Sequence, residues 1–185
     1  IWTEQPNSSI VAGALFTQGF VTLKDANNNI CTNYSGNVVF DINEDYVPGD
    51  FYGTTTVSLS NGTAAITALT VRTAAIGYRV SATVGSLSAT SSAFDVVGGT
   101  PAGIIFVRPP ATTKLGQAFS PAIQVGFVDT YGNIASTAAA TPVSLSLVAG
   151  GGALEYLGGG SVASVNTSSG LATFPSTVYV NGGAA

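Results

Sequence analysis

Four short blocks of residues occur twice in this chain, in the same order and about 104 residues apart. IWTEQP (1–6) lies over FVRPP (106–110), setting Trp2 against Phe106 and Pro6 against Pro110. VAGALF (11–16) lies over KLGQAF (114–119), pairing Gly13 with Gly116 and Phe16 with Phe119. VTLKDANNNI (21–30) lies over VGFVDTYGNI (125–134), matching Val21, Asp25, Asn29 and Ile30 to Val125, Asp129, Asn133 and Ile134. NGTAAI (61–66) matches SGLATF (169–174). A chain written twice from one pattern is expected to form two bodies, each near the lower size limit of a self-sufficient core.

The period suits a β-sandwich of about seven strands, in which short strands recur with turn signals every 8–12 residues or so. FVTLKD (20–25) alternates Phe20, Thr22 and Lys24 against Val21, Leu23 and Asp25, and VSLSL (143–147) places Val143, Leu145 and Leu147 on one face. Such faces are the expected sandwich core. No stretch of a dozen residues carries apolar positions at helical spacing, and Gly, Thr, Ser, Val and Asn are poor helix formers. The fold class is therefore all-β: two tandem sandwiches over residues 1–98 and 104–185, joined by a short linker at 99–103 inside VGGTPAG (97–103). A linker of this length with one Pro permits limited bending.

Composition narrows the function. Charged residues are 8% of the 185, against about 25% in ordinary soluble domains. The net charge is −4, and the five basic residues (Lys24, Arg72, Arg79, Arg108 and Lys114) form no stripe able to neutralise a phosphate backbone, so nucleic acid is excluded as a partner. Apolar residues reach 45%, yet no uninterrupted run approaches the roughly 18 needed for a membrane span. Histidine is absent, and the lone Cys31 forms no internal disulfide and has no base to activate it, so it reads as a small apolar residue. No cofactor, metal or catalytic residue is expected.

The succession of an aromatic-x-x-x-Pro strand, a small-Gly-x-x-Phe segment, V-x-V-x-D-x-x-G-N, V-S-L-S-L, N-G-x-A-x-F and G-Y-x-V-x-A-x-x-G-S-L-x-A-x-S-x-x-F-x-V resembles the bacterial immunoglobulin-like repeats of large secreted and surface proteins, similar to those of invasin-type adhesins, filaments and surface layers. The match covers all of the first unit and most of the second. It implies an extracellular, non-enzymatic structural or adhesive role, with neighbouring immunoglobulin-like domains, copies of the chain itself, or a cell-surface glycan or protein as partners. The first unit departs from the pattern at DANNN (25–29), where Asn28 replaces Gly, and in the acidic insertion DINEDYVPGD (41–50).

Each candidate site has a plain structural reading. Asp129, Gly132 and Asn133 in DTYGN are expected to form a tight turn capped by the Asp, rather than a shared cation site; Asn28 fits because Asn is the usual second choice for a left-handed residue. In the insertion, Asp41, Asn43 and Asp45 have a spacing that hard cations use, with Glu44 and Asp50 nearby, but Tyr46 and Tyr52 stand where an EF-hand wants Gly and Glu. A calcium or glycan module using the 41–50 loop is the alternative function. Carboxylates crowded on one loop are a weak warrant for a glycosidase, and GGGALEYLGGG (150–160) lacks the Lys of a phosphate loop and reads as a short hairpin around Leu154 to Leu157. Lys24, out of phase with Val21 and Leu23, is expected to face water, and neither it nor Lys114 is expected to form an isopeptide crosslink. The four sequons, at Asn7, Asn33, Asn61 and Asn166, are close to the number that this composition yields by chance. Trp2, Phe16, Phe20, Phe40, Phe106, Phe119 and Phe127 are expected in the packing rather than in a sugar platform.

The first unit closes with GYRVSATVGSLSATSSAFDV (77–96), which has no counterpart in the second. An excerpt of a longer array explains this, and so does a strand donated by a neighbouring molecule. The only spare extended segment, residues 1–9, already aligns with the first strand of the repeat, which favours the excerpt.

Overall fold

The structure, a computed structural model, describes residues 1–42 and 51–182. It is all-β: the described residues contain no helix, and their strands form several sheets, consistent with a β-sandwich. No helix is long and apolar enough to cross a membrane among the described residues. The chain divides into two compact units, Ile1–Gly98 and Gly99–Ala185.

Unit 1 runs β1 (Trp2–Glu4), β2 (Ser9–Val11), β3 (Phe20–Thr22), β4 (Asn37–Ile42), β5 (Phe51–Gly53), β6 (Thr56–Ser58), β7 (Thr63–Ala65), β8 (Leu69–Val71), β9 (Ala75–Tyr78), β10 (Val80–Val84), β11 (Leu87–Thr90) and β12 (Phe94–Val97). Its sheets have the orders β1-β3-β7, β11-β10-β4-β6, β2-β12-β9 and β5-β8. The first segment switches sheets: β1 pairs antiparallel with β3, and β2 pairs parallel with β12. Buried Pro6 lies between them, where a residue without an N–H ends one ladder at no cost.

Strict alternation builds the core. Val38, Phe40 and Ile42 of β4 and Val80, Ala82 and Val84 of β10 point inward and are buried, while the residues between them face outward. Phe16 sits among them, edge-on to Phe94 (5.3 Å) and Phe51 (6.4 Å), and Tyr78 stacks on Phe94 at 5.8 Å. Thr22, on the face opposite Val21, is also buried, because Thr3 covers it: the two hydroxyl oxygens lie 2.9 Å apart.

Unit 2 runs β13 (Gly103–Arg108), β14 (Gln124–Val128), β15 (Pro142–Val143), β16 (Ala153–Tyr156), β17 (Val165–Asn166), β18 (Leu171–Thr173) and β19 (Val178–Asn181). Its pairings repeat those of unit 1 residue for residue. Trp2 opposes Val21 and Glu4 opposes Phe20, with a register shift between them; Phe106 opposes Val125 and Arg108 opposes Gln124, with the same shift. Val21 opposes Ala64, as Val125 opposes Ala172. Val38 opposes Val57, as Val143 opposes Val165. Phe51 opposes Val71, as Leu154 opposes Val180. Unit 2 has its own core of Phe119, Ile123, Val125, Val143, Ala172, Phe174 and Val178.

Three expectations are corrected here. VSLSL is a strand only at Pro142–Val143, and Leu147 is 39% exposed where the corresponding Ile42 is 5% exposed. In unit 1, β4 is held on both edges, by β6 and β10, whereas among the described residues β15 pairs with β17 alone. Phe106, expected in the packing, is 53% exposed; its counterpart Trp2 contacts the Phe40 ring at 6.0 Å and donates from Nε1 to the Ala89 carbonyl of β11 (3.2 Å). The glycine-flanked run does turn back at residues 157–160, where the Gly159 N–H donates to the Tyr156 carbonyl (2.8 Å), but β16 takes β19 as its main partner.

Candidate functional site

The DTYGN segment folds as a tight turn between β14 and the bridge joining Val128 to Ile134. The Asp129 N–H donates to the Asn133 carbonyl (2.9 Å), and the Gly132 N–H donates to the Asp129 carbonyl (3.1 Å). Gly132 has a φ of 85° and Asn28, in the matching turn of unit 1, a φ of 66°, so the residue pair read from the alignment is a pair of left-handed positions. Asp129 is buried and fully engaged. Its Oδ1 accepts from the N–H groups of Tyr131 (2.8 Å) and Asn133 (3.0 Å), and its Oδ2 from the Gly99 N–H (2.9 Å) and Asn133 Nδ2 (2.9 Å). Burial pushes this carboxyl up, but the donors from Gly99, Asn133 and Tyr131 together hold it below the usual carboxylate range. With both oxygens meeting N–H donors, Asp129 caps the turn and ties down the first residue of unit 2.

Asp25 makes the same turn in the open. Asn27 and Asn29 donate backbone N–H groups to Oδ1 (2.9 and 2.8 Å) and Asn29 Nδ2 donates to Oδ2 (3.1 Å), and these bonds, led by the Asn29 side chain, lower its pKa. Lys24 donates from Nζ to Asn28 Oδ1 (3.0 Å) on this exposed turn, and Lys114 is exposed.

Of the acidic insertion, Asp41 is an exposed residue of β4 whose Oδ1 accepts from the Ile42 N–H (2.9 Å). Asn43, Glu44, Asp45, Tyr46 and Asp50 lie outside the described residues, and with them the proposed calcium spacing. Among the described residues no group of three or more His, Cys, Asp or Glu could hold a metal ion. Tyr52 instead lies under Arg72, whose guanidinium carbon is 3.8 Å from the ring centroid, a cation–π pair. Of the sequons, Asn33, Asn61 and Asn166 are exposed, while the Asn7 side chain is engaged with Thr17, donating from Nδ2 to Oγ1 (3.0 Å).

Several working residues escaped the sequence reading. Ser91 is buried where β11 gives way to β12; its Oγ accepts from the Val80 N–H (2.9 Å) and donates to the Ser92 carbonyl (2.8 Å), while Arg79 Nη1 donates to the Ser91 carbonyl (2.9 Å). On β16 and β19, Glu155 accepts from Tyr179 Oη and from Asn181 Nδ2 (both 2.9 Å), which lowers the Glu155 pKa and raises that of Tyr179. The signal for both was the cross-strand register, which sequence alone did not supply.

Among the described residues, two concavities stand out. At one end of unit 1 a cleft of about 210 Å³ is lined by Val21, Leu23, Leu59, Val84 and Leu87, smaller than the roughly 300 Å³ at which small-molecule sites begin. In unit 2 a groove of about 330 Å³ is lined by Leu145, Ser146, Leu147, Leu154, Ser161 and Val162.

Compared with known proteins, the chain matches no family model, no curated protein and no solved structure.

Proposed function

We propose that the chain is a pair of tandem immunoglobulin-like units of a secreted or surface-attached protein, acting as a non-enzymatic stalk, spacer, filament or surface-layer component. The observation that carries this reading is the recurrence of one set of pairing registers in both units, bulge included, which is how a repeated spacer module is built. Unit 2 is formed here from strands that correspond to β1 and to β3 through β8. Within unit 1, buried Tyr78 donates from Oη to the Thr73 carbonyl five residues upstream (3.1 Å), the arrangement of a tyrosine corner in immunoglobulin-like sandwiches.

Chemistry supports the same role. A surface of Ser, Thr, Asn and Gly with few ions packs against neighbouring domains, copies of itself or a glycan without the cost of desolvating charge. The mechanism is geometric: each unit holds a fixed length, and sheet edges and loops make the contacts.

The test is where the native protein sits and what it forms. In intact cells that make it, protease added outside is expected to reach the chain, and electron microscopy to show a rod, fibre or lattice. A chain protected inside intact cells and released only by lysis overturns the reading.

A further inference from the structure

Two strands at opposite ends of the sequence of unit 1 lie side by side in its fold. β2, near the start, and β12, the last strand, pair parallel, with Ser9 opposite Asp95, Ile10 opposite Val96 and Val11 opposite Val97. At one end of this ladder the Asp95 N–H donates to the Ser8 carbonyl (3.0 Å), and at the other the Ala12 N–H donates to the Val97 carbonyl (2.9 Å). Ile10 and Val96 are both buried in the core. On its other edge β12 is held by β9, with Phe94 opposite Tyr78, and Asp95 Oδ1 accepts from the Gly77 N–H (2.9 Å).

Tension carried along the chain enters unit 1 ahead of β2 and leaves it after Val97. Because the two strands are parallel, it draws β2 toward its own N-terminal end and β12 toward its C-terminal end. The ladder bonds run across the strands, so this sliding loads all of them together, whereas peeling from one end loads them one at a time. Among the described residues β1 pairs with β3 alone, so its release leaves the β2–β12 ladder whole.

We propose that the β2–β12 ladder is a mechanical clamp: unit 1 is built to bear tension along the chain, and its unfolding under load waits on the shearing of this one ladder. The inference deepens the stalk and spacer reading and rests on it for the direction of the load. It also separates mechanical from thermal stability, because the rest of the core is still intact when the ladder gives way.

The whole chain, tethered by its two ends and held at constant force, provides the test. The quantity read is the lifetime of unit 1, whose opening releases about 300 Å of chain. Ala12 is the second residue of a turn closed by the Ala14 N–H and the Val11 carbonyl (2.9 Å), with Gly13 third at a φ of 80°. Pro suits that second position, so Ala12→Pro keeps the turn while removing one ladder donor, and it is expected to shorten the lifetime about fivefold, the scale of one backbone hydrogen bond. Ile10→Val keeps every backbone bond, trims the side chain buried opposite Val96, and is expected to shorten the lifetime about as much. Val38→Ala, buried on β4 and outside the ladder, is expected to lower the melting temperature at least as far as either, yet to leave the lifetime under force within about twofold of wild type.

Lifetimes that Ala12→Pro and Ile10→Val both leave unchanged overturn the proposal, and so does a lifetime that Val38→Ala shortens as much as they do. If Ala12→Pro does not fold, Ile10→Val decides. Either failure leaves the location and particle shape of the native protein as they were, and a chain found inside cells removes the stalk reading without altering the lifetimes.

Discussion

A single turn shows how far residue identity reaches. Asn28 and Gly132 occupy the same left-handed position, and the flanking Asp and Asn recur because an Asp oxygen collects the N–H groups two and four residues ahead. Only Asp129 also receives the Gly99 N–H, and only Asp129 is buried. Gly170, by contrast, is required by space as well as by φ, since a Cβ there would lie 2.6 Å from the Ala135 carbonyl oxygen. Asp129→Asn keeps an acceptor for the turn but turns an NH2 group toward a donor, so it should cost about 1–3 kcal/mol at pH 7. Because the Asp129 pKa is lowered on folding, its carboxylate stabilises the fold above the unfolded-state pKa, about 3.9, and this contribution is lost as pH falls through the folded value. Denaturant melts of wild type and variant should therefore differ clearly at pH 7 and converge toward pH 3. A gap that stays constant over that range would mean that the charge is irrelevant.

At the scale of the element, a strand is only as long as its neighbours make it. The sequences NVVFDI and PVSLSL carry the same alternation, yet the first forms six strand residues and the second two. The difference is β10, which supplies the second edge of hydrogen bonds and the inner wall against which Phe40 and Ile42 are buried. The same reasoning separates the aligned aromatics. Trp2→Ala should destabilise unit 1 by about 2–4 kcal/mol, through the lost contact with Phe40 and the lost bond to Ala89. Phe106→Ala, at a residue 53% exposed, should cost less than about 1 kcal/mol. Thermal melts of the two variants check the contrast, and equal losses would show that Phe106 is covered in solution.

For the whole molecule, two cores imply two stabilities. Unit 1 closes around a contiguous cluster that includes Phe16, Phe40, Tyr78 and Phe94, while that of unit 2 is smaller and its flank at Leu145 and Leu147 is less covered. Amides of β4 and β10 should therefore exchange at least about tenfold more slowly than those of β14 and β18, read by hydrogen-exchange mass spectrometry; equal rates would mean one cooperative body.

The all-β class, the matched blocks, the left-handed turn position and part of the aromatic core (Phe16, Phe40 and Phe119, but not Tyr78, Phe94 or Phe174) were legible in the sequence, because period-two alternation, turn chemistry and duplication are local or self-comparing signals. Pairing was not legible. Which strand borders β15, why Thr22 and Ser91 are buried, and why Phe106 is exposed while Trp2 is held all depend on neighbours far along the chain. Local chemistry fixes where a strand can start and which side chains share a face; only the assembled sheets decide whether that face meets protein or water.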